Sequence, residues 1–590
     1  MIGRVDEKIR QMSKQTSGSF GNRLAMWRAL RATPAQGFVS QPEPRSIGLF
    51  ARGKQLISGN FIIAGQVVTA PNTSIWDVKL TNPDVIAIMP DARAGFAWLD
   101  DLAAVGDMPA RQLGQAWTWE WMWRYGRGQG AGWSPDLTGR RVIRWINHAP
   151  LLLSGRSIED TKKFYHLLSA QVVFLSRRWS LAAPGLPRFE ALTGLIYAGL
   201  ALKGMAEQLG PVEKRLAAEC ATQIDKDGGI STRNPEELLE VFTHLIWAEQ
   251  AMTEAGRAVP PALTAAITRI APTLRALRHA DGDLARFHGG GRGAEGRLDQ
   301  SLSAAGVKSE GTNGLTLTMG YARLSGGRTS VIVDVAPPAS GSAGRSAHAS
   351  TAAFELTSGR RPLIVSCGSG RQFGVDWWRA GRSTASHSTL SMEGNSSSRF
   401  GITNENANIL MERAQVSDLK HAVLDDGMHL SLKQDGWART HGLTHAREVW
   451  LTPDGRKLAG LDRMLARSTE DKARIQSMLS EHWLEGISFA LRFHLHPDVT
   501  ATVDMGGTAI SLALKSGEVW VFRYDGRAAL TLEPSIYLEK SRLRPRSAQQ
   551  IVLTWHSREE ETRIGWTLAK AQDTPLAIRD LGQDDLPVPH

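Results

Sequence analysis

A helical first half followed by an antiparallel β-sandwich is the fold class that this 590-residue sequence predicts. Three observations point to it. Apolar residues recur at helical spacing, in segments with recognisable caps, as far as "PPALTAAITRIAPTLRAL". Glycine then becomes dense in "HADGDLARFHGGGRGAEGRLDQ", and the helical spacing stops. Beyond it, short alternating runs such as "TSVIVDVA", "HLSLKQDGW" and "EVWVFRYDG" are punctuated by Asp-Gly and Ser-Gly-Gly turns, the pattern of sandwiched antiparallel sheets.

The elements follow in order. Met1 to Gly37 holds one expected helix, and "LISGNFIIAGQVVTA" reads as a strand pair. In "WTWEWMWRYG" a helix would align Trp117 with Trp121 and Trp119 with Trp123, as two stripes for the core or for a sugar-binding groove, whereas a strand would put all four on one face. "SIEDTKKFYHLLSAQVVFLSRRW" places Phe164, Leu167, Leu168, Gln171 and Leu175 at helical spacing behind Ser157 as N-cap. "RNPEELLEVFTHLIWAEQAM" has Asn234 as N-cap, Pro235 at the first helical position and Glu237 completing a capping box. "PVEKRLAAECATQI" and "PPALTAAITRIAPTLRAL" are further helices that begin at proline. Helices with short loops suggest hairpins stacked into an array or ring. The expected division is residues 1–100, mixed; 101–290, helical; 291–312, a Gly-rich linker; and 313–590, β-sandwich.

Composition narrows the function. A formal charge of +10 suits an anionic partner, but Lys and Arg are scattered and no nucleic-acid motif is present. No run of eighteen apolar residues exists, so no membrane span is expected. "MIGRVDEKIRQMSKQTSG" lacks an apolar signal core, and Cys220 and Cys367 cannot build a disulfide framework. The expected location is the cytoplasm, or the periplasm if the true start lies upstream.

Specific residues carry a resemblance. "RSAHASTAAFELTSGRRPLIVSCGSG", "WWRAGRSTASHSTL", "HAREVWL" and "FHLHP" resemble the heparinase II/III group of polysaccharide lyases. "WINHAPLLLSG", "GLPRFEALTGLIYAGLAL" and "DGGISTRNPEELLEVF" resemble that group's helical domain, so the likeness runs from about Trp117 to the C-terminus. It implies an incomplete α/α toroid joined to an antiparallel β-sandwich, and cleavage of an acidic, uronate-containing glycan by β-elimination. In that reaction donors neutralise the uronate carboxylate, a base removes the C5 proton and an acid protonates the leaving C4 oxygen.

The resemblance also implies a zinc ion held by two histidines and an aspartate. His348 and His387 match the histidines; Ser366 stands where the aspartate would fall. Cys367 follows it and could serve as a thiolate ligand only where the strand ends or bulges, because neighbouring side chains on a strand face opposite ways. Three other family positions differ. Ser346 replaces a histidine, Leu186, Pro187 and Arg188 replace an Asn-His pair, and Glu236 and Glu237 replace a tyrosine.

The expected catalytic set is His348, His387, Asn234 and Arg233, with Arg382, Arg379, Trp377, Asn147 and His148 contacting substrate and His348, His387 and Cys367 as metal ligands. Arg233 and Asn234 earn a place at a helix N-terminus, which favours anions, and Arg382 and Arg379 as bidentate clamps for a carboxylate. Two alternatives remain open. One is a glycoside hydrolase using carboxylates among Glu236, Glu237, Asp227 and Glu190. The other is a protein that binds acidic glycan without turning it over.

Overall fold

The computed structural model describes residues 21–575 apart from 41, 64–65, 80–91, 131, 309–315, 393, 404–405, 482–485 and 541. The N-terminal stretch as far as residue 20 lies outside the described residues, as do parts of the Gly-rich linker. The chain divides into two compact units, residues 1–225 with 240–268, and residues 226–239 with 269–590.

The first unit is built from helices whose ends follow the sequence signals. Ser157 Oγ accepts the Asp160 amide at 3.0 Å and starts the helix Ile158–Arg178. Asp107 Oδ1 accepts the Ala110 amide at 2.9 Å and starts Met108–Tyr125. On that helix Trp117 and Trp121 are buried while Trp123 is 82% exposed, so one expected stripe is core and the other ends in solvent. The expected strand pair is present as Asn60–Ile63 against Gln66–Thr69.

Pro135–Asn147 and Leu186–Ala201 pack closely because glycines meet where they cross. A Cβ on Gly194 would come 2.7 Å from the Gly139 Cα, so no larger residue fits. Beside this crossing Arg141 is fully buried, stacked 4.1 Å over Trp121 and bonded to Gln171 Oε1 at 2.6 Å. Among the described residues no helix is long and apolar enough to cross a membrane.

In the second unit the described strands form an eight-stranded sheet, a nine-stranded sheet and the small pair Arg399–Phe400 with Leu410–Glu412, paired antiparallel throughout. The eight-stranded sheet runs from Val416–Leu424 at one edge to Thr500–Asp504 at the other. The nine-stranded sheet runs from Ala529–Tyr537 to Thr316–Thr318. Alternation sends Phe354, Phe493, Phe522 and Trp566 into one apolar core, with Phe354 and Trp566 stacked at 5.7 Å. One ionic group interrupts that core. Arg447 and Asp462 face each other across neighbouring strands, and His445 Nε2 and Trp566 Nε1 also reach the Asp462 carboxylate.

Candidate functional site

The two histidines singled out from the sequence come together. His348 lies in the loop before strand Phe354–Ser358, and His387 follows the short turn Thr384–Ser386. His348 Nδ1 stands 3.3 Å from His387 Nε2. The other nitrogen of His387 is 3.0 Å from Ser366 Oγ. Both rings are sealed inside the second unit, at 1% and 0% exposure. Burial presses both imidazoles toward neutrality, well below the usual range for His348 and down to about 3 for His387.

A third histidine, not singled out from the sequence, completes the row. His288 sits in the Gly-rich stretch at a left-handed φ of 48° and accepts the His348 backbone amide on Nδ1 at 3.0 Å. Accepting there fixes its tautomer, so the proton is on Nε2, which faces Asp334 Oδ2 at 3.4 Å. Asp334 also accepts from Ser350 Oγ at 2.7 Å and pairs with Arg233 at 2.5 Å. Burial alone would raise this carboxyl; the Arg233 guanidinium beside it holds it well below the ordinary range. The only cue in the sequence was a histidine followed by three glycines, "RFHGGG".

Arg233 was expected to clamp a substrate carboxylate, but its donors are engaged within the protein. A guanidinium carries five N–H donors. Nε bonds to the Met319 carbonyl, Nη1 to those of Ala336 and Pro337, and Nη2 to the Gly320 carbonyl and Asp334. Tyr321 O–H donates to the Arg233 carbonyl at 2.6 Å. Arg233, His288, Met319 and Ala352 all have left-handed backbones, four of the eight non-glycine residues that do so among those described. Such strain persists only where surrounding bonds hold it, and here the bonds converge on Arg233 and Asp334.

The remaining candidates separate. Asn234 Oδ1 caps its helix by accepting the Glu236 and Glu237 amides at 3.0 and 3.2 Å. Arg382 is fully buried and donates to the carbonyls of Ala347, Asn408 and Gly344 rather than opening as a clamp. Trp377 and Arg379 are exposed on the helix Val375–Gly381, while Trp378 turns inward over Arg382 at 5.0 Å. Asn147 and His148 belong to the first unit. There His148 Nε2 meets Asp100 Oδ1 at 2.8 Å, which also accepts from Ser46 and pairs with Arg144 through its other oxygen. His494 is buried in its strand.

Cys367 was expected to join the histidine pair if its strand ended or bulged there, and the strand Arg361–Val365 does end just before it. Even so, neighbouring side chains face different ways, with Ser366 toward His387 and Cys367 Sγ toward His494 Nδ1 at 3.6 Å. The donors around His348 and His387 are therefore two imidazoles and a hydroxyl. Among the described residues no three His, Cys, Asp or Glu side chains are grouped to hold a metal ion. Structural zinc sites use four ligands drawn from Cys, His and carboxylates, so the residues present do not fit the zinc that the resemblance implies.

Comparison with known proteins matches this architecture. Residues 315–567 match the family described as heparinase II/III-like, C-terminal. A crystal structure of heparinase III shares the fold with a TM-score of 0.66 and 15% identity, covering 96% of this chain and 91% of that one. A mutant heparan sulfate lyase HepC from Pedobacter heparinus aligns with a TM-score of 0.57 and 12% identity, over 96% of this chain and 91% of that chain. Among curated proteins, the FtsZ-localized protein C of Caulobacter vibrioides is 29% identical over 594 residues, spanning 93% of this chain and 96% of its own length.

Proposed function

Since its residues 315–567 match the heparinase II/III-like, C-terminal family, we propose that this chain keeps the polysaccharide-lyase scaffold without the lyase reaction and serves as an FtsZ-localised protein. One observation carries this reading. The groups that would have to meet a uronate, His348, His387, Arg233 and Arg382, are buried and bonded to the protein itself. An elimination site needs donors aimed at the substrate carboxylate and a base within reach of C5. Ser346 stands where the family carries a histidine, and Glu236 and Glu237 where it carries a tyrosine. Whole-length likeness to a protein named for its place with FtsZ, at 29% identity against 15% for heparinase III, supports the same reading.

A second reading has one observation in its favour. Glu190 is buried in the first unit on the helix Leu186–Ala201, paired with Arg140 at 2.6 Å and 3.9 Å from His244 Nε2. Burial pushes its carboxyl up to about 7, against the pull of Arg140. A carboxyl that titrates near neutrality is suited to proton transfer, and Glu190 was a candidate for a hydrolase.

The experiment has two parts. Purified protein is incubated with a panel of uronate-containing polysaccharides and oligosaccharides, and both near-ultraviolet absorbance and reducing ends are followed. A fluorescent fusion is imaged with labelled FtsZ in the native cell. We expect co-localisation and neither product. Unsaturated product would restore the lyase, while reducing ends without absorbance, lost in Glu190→Gln, would establish the hydrolase.

A further inference from the structure

We propose that Cys367 is a reactive thiol, activated by His494 and modified by soft electrophiles that enter past the sheet edge at Ser535. This inference is independent of the reading above, because it concerns the opposite face of the strand end that carries Ser366.

The geometry is that of a nucleophile, its base and a group that orients the base. His494, on the strand Ile487–Leu495, has its Nε2 2.9 Å from the Ala385 carbonyl. A carbonyl only accepts, so Nε2 carries the proton and a neutral ring keeps its lone pair on Nδ1. That lone pair faces Cys367 Sγ at 3.6 Å and Ser535 Oγ at 2.8 Å. Burial would raise the thiol, but His494 and the Ser535 hydroxyl pull it below its usual value, and the Arg286 guanidinium, bonded to the Cys367 carbonyl, acts in the same sense. Burial would likewise lower His494, and Cys367 opposite raises it, with Arg492 opposing. Both groups shift toward a thiolate–imidazolium pair.

Access comes from the fold. Cys367 is 4% exposed, but the hydroxyl above it belongs to Ser535, a half-buried residue on the edge strand Ala529–Tyr537. Among the described strands it pairs on one side only, with Arg546–Ser557, so it forms an edge of the sheet with its outer side unpaired. In the reaction the sulfur attacks the electrophilic carbon. An S–C bond forms as the leaving group departs with its electron pair, and the thiol proton stays on His494 Nδ1. An adduct also bears on the histidine row. The Cys367 amide donates to the Ser386 carbonyl at 2.9 Å, and His494 holds the Ala385 carbonyl, so both brace the turn that leads into His387.

The sequence supplies its own reference, since Cys220 is the only other cysteine and is fully buried on the helix Leu209–Gln223. Native full-length protein is treated with iodoacetamide from pH 6 to 9, and each cysteine is followed by peptide mass spectrometry. Cys367 should react at least about tenfold faster than Cys220, with a rate–pH midpoint clearly below the about 8.5 of an ordinary thiol. His494→Gln should slow Cys367 and return its midpoint toward about 8.5, leaving Cys220 unchanged. Equal, slow labelling of both cysteines until the chain unfolds would overturn the proposal. So would a wild-type midpoint at or above about 8.5, a measurement that needs no variant to fold.

Discussion

Arg233 shows how one residue's bonding decides between a binding role and an architectural one. All five donors are engaged, one of them by a fully buried carboxylate. Removing the guanidinium leaves Asp334 buried with its charge uncompensated and takes a donor from four carbonyls, of which Gly320 keeps the Val335 amide and Ala336 the Thr351 hydroxyl. Breaking a buried pair in this way costs about 3–5 kcal/mol. Arg233→Ala is therefore expected to lower the stability of the second unit by about that much, read from a urea unfolding midpoint. Arg233→Lys should recover only part of the loss, because an ammonium has three donors and no planar fork. A residue poised for ligand would behave oppositely, with stability unchanged and glycan binding lost. The sequence placed Arg233 correctly at a helix start, but its partner Asp334 lies 101 positions away and no local pattern connects them.

Elements were legible wherever a local rule sets them. Ser157 and Asn234 cap the helices they were expected to cap, because an oxygen facing an orphan amide is a short-range matter. Strand alternation gave the sandwich for the same reason. The row of histidines was legible in part: His348 and His387 stood out by family likeness, while His288 and Asp334 reach them only through tertiary contacts. Cross-strand packing was equally hidden. Gly460 lies opposite Trp566 on neighbouring strands, and a Cβ built there would stand 2.2 Å from the indole ring. Gly460→Ala must displace a ring stacked into the core, so a loss of about 1–3 kcal/mol is expected. Urea unfolding followed by tryptophan fluorescence measures it, and an unchanged midpoint would mean that the indole is not held where the strands place it.

At the scale of the whole molecule, the buried histidines set how stability depends on pH. His288, His348 and His387 are each pushed down by burial, with His387 at about 3. Unfolded, each would titrate at about 6.5. For His387, between about 6.5 and about 3 the unfolded chain therefore binds a proton that the folded chain refuses, and stability falls as the pH falls; His348 and His288 act in the same sense. The stabilisation is complete above about 6.5, and His387 removes about 1.4 kcal/mol per pH unit below it. His494 is raised instead and acts in the opposite sense, and Asp334, held low by Arg233, contributes only at more acid pH. His441, His445 and His496 are lowered by burial too, whereas burial raises the carboxyls of Glu237 and Asp283, so six lowered imidazoles oppose three raised groups and the second unit loses stability on acidification. Because the chain has two units, the measurement should report on one of them. Hydrogen exchange in the strands Phe354–Ser358 and Arg361–Val365, which flank the row, is expected to show protection falling steeply from pH 7 to pH 5 after correction for the intrinsic rate. His387→Gln should make that fall shallower by about one proton. A protection profile flat over this range would mean that water reaches the rings and that the second unit is not sealed around them, which would also reopen the case for His348 and His387 as groups that meet a substrate.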